Sequence, residues 1–241
     1  IMKQNMVSAS KSGQSPNADT FDDLPLNDTL KRSIRNHGFI ELSTIQNQAF
    51  PLYLNGENVF VQSPSGTGKM SMAAISVLQS VKLPSLSSTN PDNPVQSRTA
   101  QALVLTPSRE LALSARFMFN DLGKSMGVLC CACVGGIKPR DQKTELDAGV
   151  DIAIGTPGRV EDLINRGWLS TAQIRLIILT ETDDLIRRGF KNNLINIISQ
   201  MPEGLQVLIF SPTAPVELME LLNSLNLNPS PVHVRPNLDR P

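Results

Sequence analysis

The chain has 241 residues, with 22 basic side chains balanced by 22 acidic ones, a length that admits one large α/β domain or two small ones. Balanced charge supplies no global field arguing for nucleic acid, although one face can still be basic. No apolar run is long enough to span a bilayer and no secretory signal is present, which excludes a membrane segment and predicts a cytoplasmic or nuclear protein.

Residues 1–20 are rich in Ser, Asn, Gln and Lys and read as a disordered tail. The first residue is Ile1, which predicts an excised fragment. Leu26, Leu30 and Ile34 then recur at helical spacing, with Gly38 as a stop, and Ile45, Ala49 and Leu52 predict a second short helix. Short apolar runs bounded by turn residues follow: 59–61, 102–105, 128–134, 151–154, 176–179 and 207–210. Helical periodicity lies between them, as in 109–122 and 157–165. This alternation predicts βαβ units and a mainly parallel sheet covered on both faces. Residues 82–99, with Pro84, Pro91 and Pro94, break the pattern and read as a surface loop or a partner-binding insertion. Cys130, Cys131 and Cys133 lack metal-ligand spacing and have no nearby His, so they read as buried strand thiols in a reducing compartment. The domain is expected to end near 235, with the polar residues 236–241 opening a linker.

The stretch Ser63-Pro64-Ser65-Gly66-Thr67-Gly68-Lys69-Met70 follows an apolar strand and precedes a helix. Gly66 and Gly68 allow close backbone approach to an anion, Lys69 adds a point charge, and the helix N-terminus points N–H groups at it. A phosphate loop of this type ends in a hydroxyl residue that holds Mg²⁺. Here that position is Met70, a thioether that a hard cation does not favour.

Further signals follow in order: Phe21, then Gly38-Phe39 with Ile45-Gln46, the loop to Lys69, Pro107-Ser108-Arg109-Glu110-Leu111-Ala112, Gly135-Gly136, Thr156-Pro157-Gly158-Arg159, Leu179-Thr180-Glu181-Thr182-Asp183, Arg188-Gly189-Phe190-Lys191 and Ser211-Pro212-Thr213. Over residues 20–235 this set resembles the DEAD-box RNA helicases, in their translation initiation factor 4A branch. The resemblance implies a RecA-like first lobe with three layers, a mainly parallel sheet between helices. It also implies a second lobe outside this chain. It implies ATP or ADP as ligand, with Gln46 reading the adenine edge, Phe21 stacking on the ring, and Ser65, Gly66, Thr67, Gly68 and Lys69 holding phosphates. Glu181 would orient or deprotonate the attacking water, while Asp183, Ser211 and Thr213 would link the ATP site to the RNA side. Arg109, Gly136, Thr156, Gly158 and Arg159 would grip the backbone of single-stranded RNA without reading its sequence.

The chain departs from that family at both metal positions. Met70 replaces the loop hydroxyl, and Thr180 replaces the first Asp of the D-E-A-D box, so no metal ligand is expected and Mg²⁺ binding should be weakened. Ser71 is turned about 100° off the phosphate axis and does not substitute. Thr182 and Pro212 stand for alanines, and Pro212 lacks a backbone donor. Little effect is expected from Ser63 or Leu42, which replace Ala and Pro. The favoured expectation is an RNA-binding pseudo-helicase serving as a ribonucleoprotein scaffold, in granules for instance. An active helicase and a protein-interaction module with an idle RNA face remain as alternatives.

Overall fold

A computed structural model describes residues 18–83 and 98–233. Its strands are β1 (Val59–Gln62), β2 (Ala102–Leu105), β3 (Cys130–Cys133), β4 (Ile152–Gly155), β5 (Leu176–Leu179), β6 (Gln206–Ser211) and β7 (Ser230–His233). They form one sheet in the order β3-β4-β2-β5-β6-β1-β7, and every pairing is parallel. Two helices, α1 (Asp28–Asn36) and α2 (Thr44–Leu54), precede β1; the crossovers that parallel neighbours require are supplied by α3 (Lys69–Ser80), α4 (Arg109–Gly123), α5 (Pro139–Asp147), α6 (Pro157–Asn165), α7 (Thr182–Arg187), α8 (Lys191–Ser199) and α9 (Val216–Ser224).

Alternation along each strand divides the core in two. Val59, Val61, Val104, Ile154, Ile178 and Phe210 face one apolar cluster with α1 to α4. Phe60, Leu103, Leu105, Ala153, Ile177 and Ile209 face the other, which α6, α8 and α9 cover. A sheet buried on both faces explains why the strands read as continuous apolar runs. Full burial of side chains such as Phe50, Phe119 and Phe210 contributes about 2–3 kcal/mol each. The α/β three-layer expectation therefore holds.

Several boundaries differ from the sequence reading. The run 128–134 yields a strand only over Cys130–Cys133, and β6 extends one residue at each end of its predicted run. The strand β7 was not expected, because Pro231 and flanking polar residues hide it. The tail expected to reach residue 20 is corrected at its end: Ala18 is buried, Thr20 bridges Glu41, and the Ala18 carbonyl accepts from Asn47. Residues 1–17 and the linker 236–241 lie outside the described residues, as does the middle of the 82–99 segment. The ends of that segment belong to the fold: Lys82 exchanges backbone hydrogen bonds with the Gln101 amide, and Arg98 pairs with Asp151. The three cysteines are free and buried, and burial pushes the Cys130 thiol up to about 12. Among the described residues, no helix is long and apolar enough to cross a membrane.

Two predictions follow from this core. A Cβ on Gly155 would lie 2.1 Å from the Cys133 carbonyl oxygen and 2.8 Å from Val160. Gly155→Ala should therefore cost about 3 kcal/mol in urea unfolding, since neither backbone nor a β-branched neighbour yields cheaply. Asp151 is 0% exposed; burial raises its pKa, opposed by the Leu129 N–H and Arg98. An acid that binds its proton more tightly when folded is relatively stabilised as pH falls through the raised pKa towards 3.8. The native protein should thus gain stability relative to Asp151→Asn across that window, read as a pH-dependent difference between their denaturation midpoints.

Candidate functional site

The C-terminal ends of β1 to β6 all open on one edge of the sheet, where ligands of open α/β sheets sit. Strand order sorts the loops there into two groups. The loops after β1, β5 and β6 carry 63–69, 180–183 and 211–213. Those after β2, β3 and β4 carry 106–109, 134–137 and 156–159.

In the first group, the 63–69 loop turns into α3 at Gly68, with φ 96°. A Cβ there would stand 2.9 Å from Gln46 Nε2, so the position combines a left-handed backbone with a close neighbour that only glycine accommodates. Gln46 is the N3 residue of α2 and its amide is internally engaged. Its Oε1 accepts from Ser43 N (2.9 Å), while Nε2 donates to the Gly68 carbonyl (3.2 Å) and Ser71 Oγ (3.0 Å). Ser65 and Gly66 are exposed, and Thr67 is half-buried. Thr67 Oγ1 donates to the Pro64 carbonyl (2.9 Å), so Ser63 Oγ, 2.8 Å away, donates to it. Ser63 thus braces the loop, a part not expected for it.

Lys69 folds back over the same loop. Its Nζ donates to the carbonyls of Ser63 (2.8 Å) and Pro64 (2.7 Å) and lies 3.9 Å from Glu181 Oε1. Burial lowers the Lys69 pKa, opposed by the charges of Glu181 and Asp183. Glu181 has φ 46° and ψ 54°, the strained left-handed conformation for a side chain of its size, and heads α7 with its carboxylate part-exposed. Thr213 Oγ1 donates to Asp183 Oδ2 (3.0 Å) and Asp183 N donates to Ser211 Oγ (3.2 Å), so the three residues are hydrogen-bonded together. Asp183 Oδ1 is buried with no partner among the described residues.

Phe21 is placed differently from the reading that stacks it on a base. Its ring is 2% exposed and packs at 6.4 Å and 6.1 Å against Phe39 and Phe50, as part of the core. Met70 packs its thioether against the first apolar cluster. The Ser71 hydroxyl, besides accepting from Gln46, donates to the Gly68 carbonyl. Thr180, 3% exposed, donates its hydroxyl to the Leu105 carbonyl at 3.2 Å. Thr182 is fully buried and donates to the Phe210 carbonyl at 3.0 Å, tying the end of β5 to β6. Among the described residues, no group of three or more His, Cys, Asp or Glu is arranged to hold a metal ion.

In the second group, Arg109 is exposed at the head of α4, and its guanidinium lies on the Gly136 backbone: a Cβ there would be 2.2 Å from Arg109 Nη1. Thr156 is half-buried and heads α6, with Gly158 exposed beside it. Arg159 is half-buried, and its Nη1 donates to the Ile137 carbonyl (3.0 Å) and Gln142 Oε1 (2.6 Å). The sequence reading did not single out Gln142, whose partners are distant in sequence.

A family profile described as DEAD/DEAH box helicase matches residues 43–221. Eukaryotic initiation factor 4A of Caenorhabditis elegans is 36% identical over 217 residues, spanning 90% of this chain and 51% of the relative. ATP-dependent RNA helicase eIF4A of Schizosaccharomyces pombe is 37% identical over 217 residues, covering 90% and 52%. The chain therefore spans about half the length of these relatives. Among solved structures, a DEAD box protein from Methanococcus jannaschii aligns with a TM-score of 0.80 and 30% identity, over 90% of this chain and 56% of that one. Dbp5 of Saccharomyces cerevisiae, bound to Gle1 and IP6, aligns at 0.79 and 26% identity over 91% and 53%. With fold, motif order and sequence in agreement, the chain belongs to the DEAD/DEAH box helicase family.

Proposed function

We propose that this chain is a degenerate DEAD-box lobe that holds the backbone of single-stranded RNA, takes ATP or ADP at the 63–69 loop, and hydrolyses ATP slowly or not at all. The observation that carries the reading is the chemistry of the metal side. Mg²⁺ requires hard oxygen ligands in near-octahedral geometry. Met70 offers the thioether of a half-buried side chain packed against an apolar cluster, the Ser71 hydroxyl is engaged by Gly68 and Gln46, and the Thr180 hydroxyl is buried against a carbonyl. These residues do not fit the ion. Metal ions supply several kcal/mol of transition-state stabilisation in phosphoryl transfer, and each ~1.4 kcal/mol is tenfold in rate, so losing their anchors slows hydrolysis by orders of magnitude.

The chain's own residues still suit binding. Gly66, Gly68 and the α3 N-terminus present backbone donors to phosphate, and Lys69 supplies a charge once it leaves the Ser63 and Pro64 carbonyls. Glu181 would hold a water or accept its proton, a role that its part-exposed carboxylate near Lys69 supports. On the other half, the exposed Arg109, Gly136 and Gly158 and the half-buried Thr156 and Arg159 line one edge with backbone and guanidinium groups suited to sugar–phosphate. The complete protein, with a second lobe like those of its longer relatives, then works as an RNA-binding component of a ribonucleoprotein in the cytoplasm or nucleus. The second reading, a working ATP-dependent helicase, is favoured by one observation: the Lys69–Glu181 pair and the Asp183–Ser211–Thr213 link are intact.

RNA-stimulated ATPase of the full-length protein separates the two. The native protein should show no turnover above background, and Met70→Thr with Thr180→Asp should restore some; robust magnesium-dependent turnover in the native protein overturns the reading. Binding of a fluorescent ADP analogue should change less than about threefold when Mg²⁺ is replaced by EDTA, because no chain ligand couples the ion to affinity. A tenfold or larger loss on chelation would place a functional metal beside the loop.

A further inference from the structure

The edge strand β3 pairs only with β4, so its outward carbonyls face away from the ladder. Such a bare edge is a liability that folds cover. Here one side chain covers it. Gln142 on α5 is 1% exposed, and its Nε2 donates to the carbonyls of Ala132 (2.9 Å) and Val134 (3.0 Å). Its Oε1 accepts from Arg159 Nη1 at 2.6 Å, and the same Nη1 donates to the Ile137 carbonyl at 3.0 Å. Both hydrogens of the amide nitrogen and its oxygen are thereby engaged.

The anchored backbone is informative. Val134 immediately precedes Gly135-Gly136 and Ile137 immediately follows, so the loop on which the Arg109 guanidinium rests is fastened at both ends. Arg159 immediately follows Gly158 in the first turn of α6. Two loops from different strands are thus held to one buried amide. With Nη1 saturated, Arg159 keeps Nε and Nη2, the two-pronged edge that matches a phosphate.

We infer that Gln142 is a positioning residue of the RNA edge. Without touching RNA, it sets the spacing of the Gly136 and Gly158 backbones and fixes which edge of the Arg159 guanidinium faces outward. This rests on the RNA reading above.

The test uses the full-length protein, native and as Gln142→Leu and Gln142→Glu, with a fluorescent single-stranded RNA and amide hydrogen exchange. Leucine removes every hydrogen bond of the amide at similar volume. It should speed exchange in 135–138 and weaken RNA binding, each about tenfold, the scale of losing a charge-assisted hydrogen bond, while 66–68 exchange as in the native protein. Glutamate keeps the acceptor for Arg159 but loses the donors to β3, so it should recover RNA affinity to within about threefold of native. If leucine fails to fold, Gln142→Met, which likewise removes every hydrogen bond of the amide, is read in its place with the same outcomes expected. In the apolar variant, unchanged exchange in 135–138 overturns the inference, as does faster exchange with unchanged RNA affinity. Loss of RNA binding matched by equal loosening of 66–68 assigns Gln142 to general stability and overturns it too. If the native protein binds no RNA, the RNA reading itself fails, and exchange in 135–138 then separately decides whether Gln142 fastens the loop.

Discussion

Parallel pairing obliges every connection in this chain to cross a face of the sheet, and each strand from β1 to β6 then delivers its loop to the same edge. Site residues far apart in sequence meet for this reason alone. The strand order adds a division: β1, β6 and β5 stand together, and β2, β4 and β3 stand together. The seam between the halves is the β2–β5 ladder. Thr180 sits at its upper end, with both backbone N–H and hydroxyl donating to the Leu105 carbonyl. Thr180, where the family resemblance implies a metal-anchoring carboxylate, is a stitch between the proposed nucleotide and RNA halves.

The other departures are absorbed in the same way. Thr182 is buried, yet its hydroxyl finds the Phe210 carbonyl; Met70 joins the apolar cluster; Ser63 braces Thr67. A buried polar group without a partner costs stability, and each of these substitutions arrives with one. The fold therefore accommodates these residues without leaving their polar groups unpaired. Asp183 Oδ1, by contrast, is one of four buried side-chain atoms without a partner among the described residues, with Ser43 Oγ, Ser76 Oγ and Asp151 Oδ1.

Much of this was legible in the sequence. Apolar runs marked six of the strands because burial on both faces leaves little room for polar residues, and Gly68 marked the turn into α3, where a left-handed backbone and the nearby Gln46 amide leave no room for a Cβ. What escaped shares one physical character. Pro231 and polar neighbours conceal β7, which is recruited by the long-range β1 ladder and not by its own propensity. Gln142 resembles any helical glutamine until β3 and α6 are folded around it. Phe21 belongs to an aromatic group whose other members are 18 and 29 residues away, and nothing local announces that its ring faces inward.

Lys69 carries a consequence of a different kind. Its ammonium is held by two carbonyls of the loop that an incoming phosphate would occupy, so the chain contains its own competing ligand. An anion meets a binding-competent lysine only in the fraction of molecules where that inner contact is open, and the observed affinity is scaled down by that fraction. The loop is in this sense self-occupied at rest, and under the proposed reading its grip on nucleotide would depend as much on how readily the lysine lets go of its own backbone as on how well it holds phosphate.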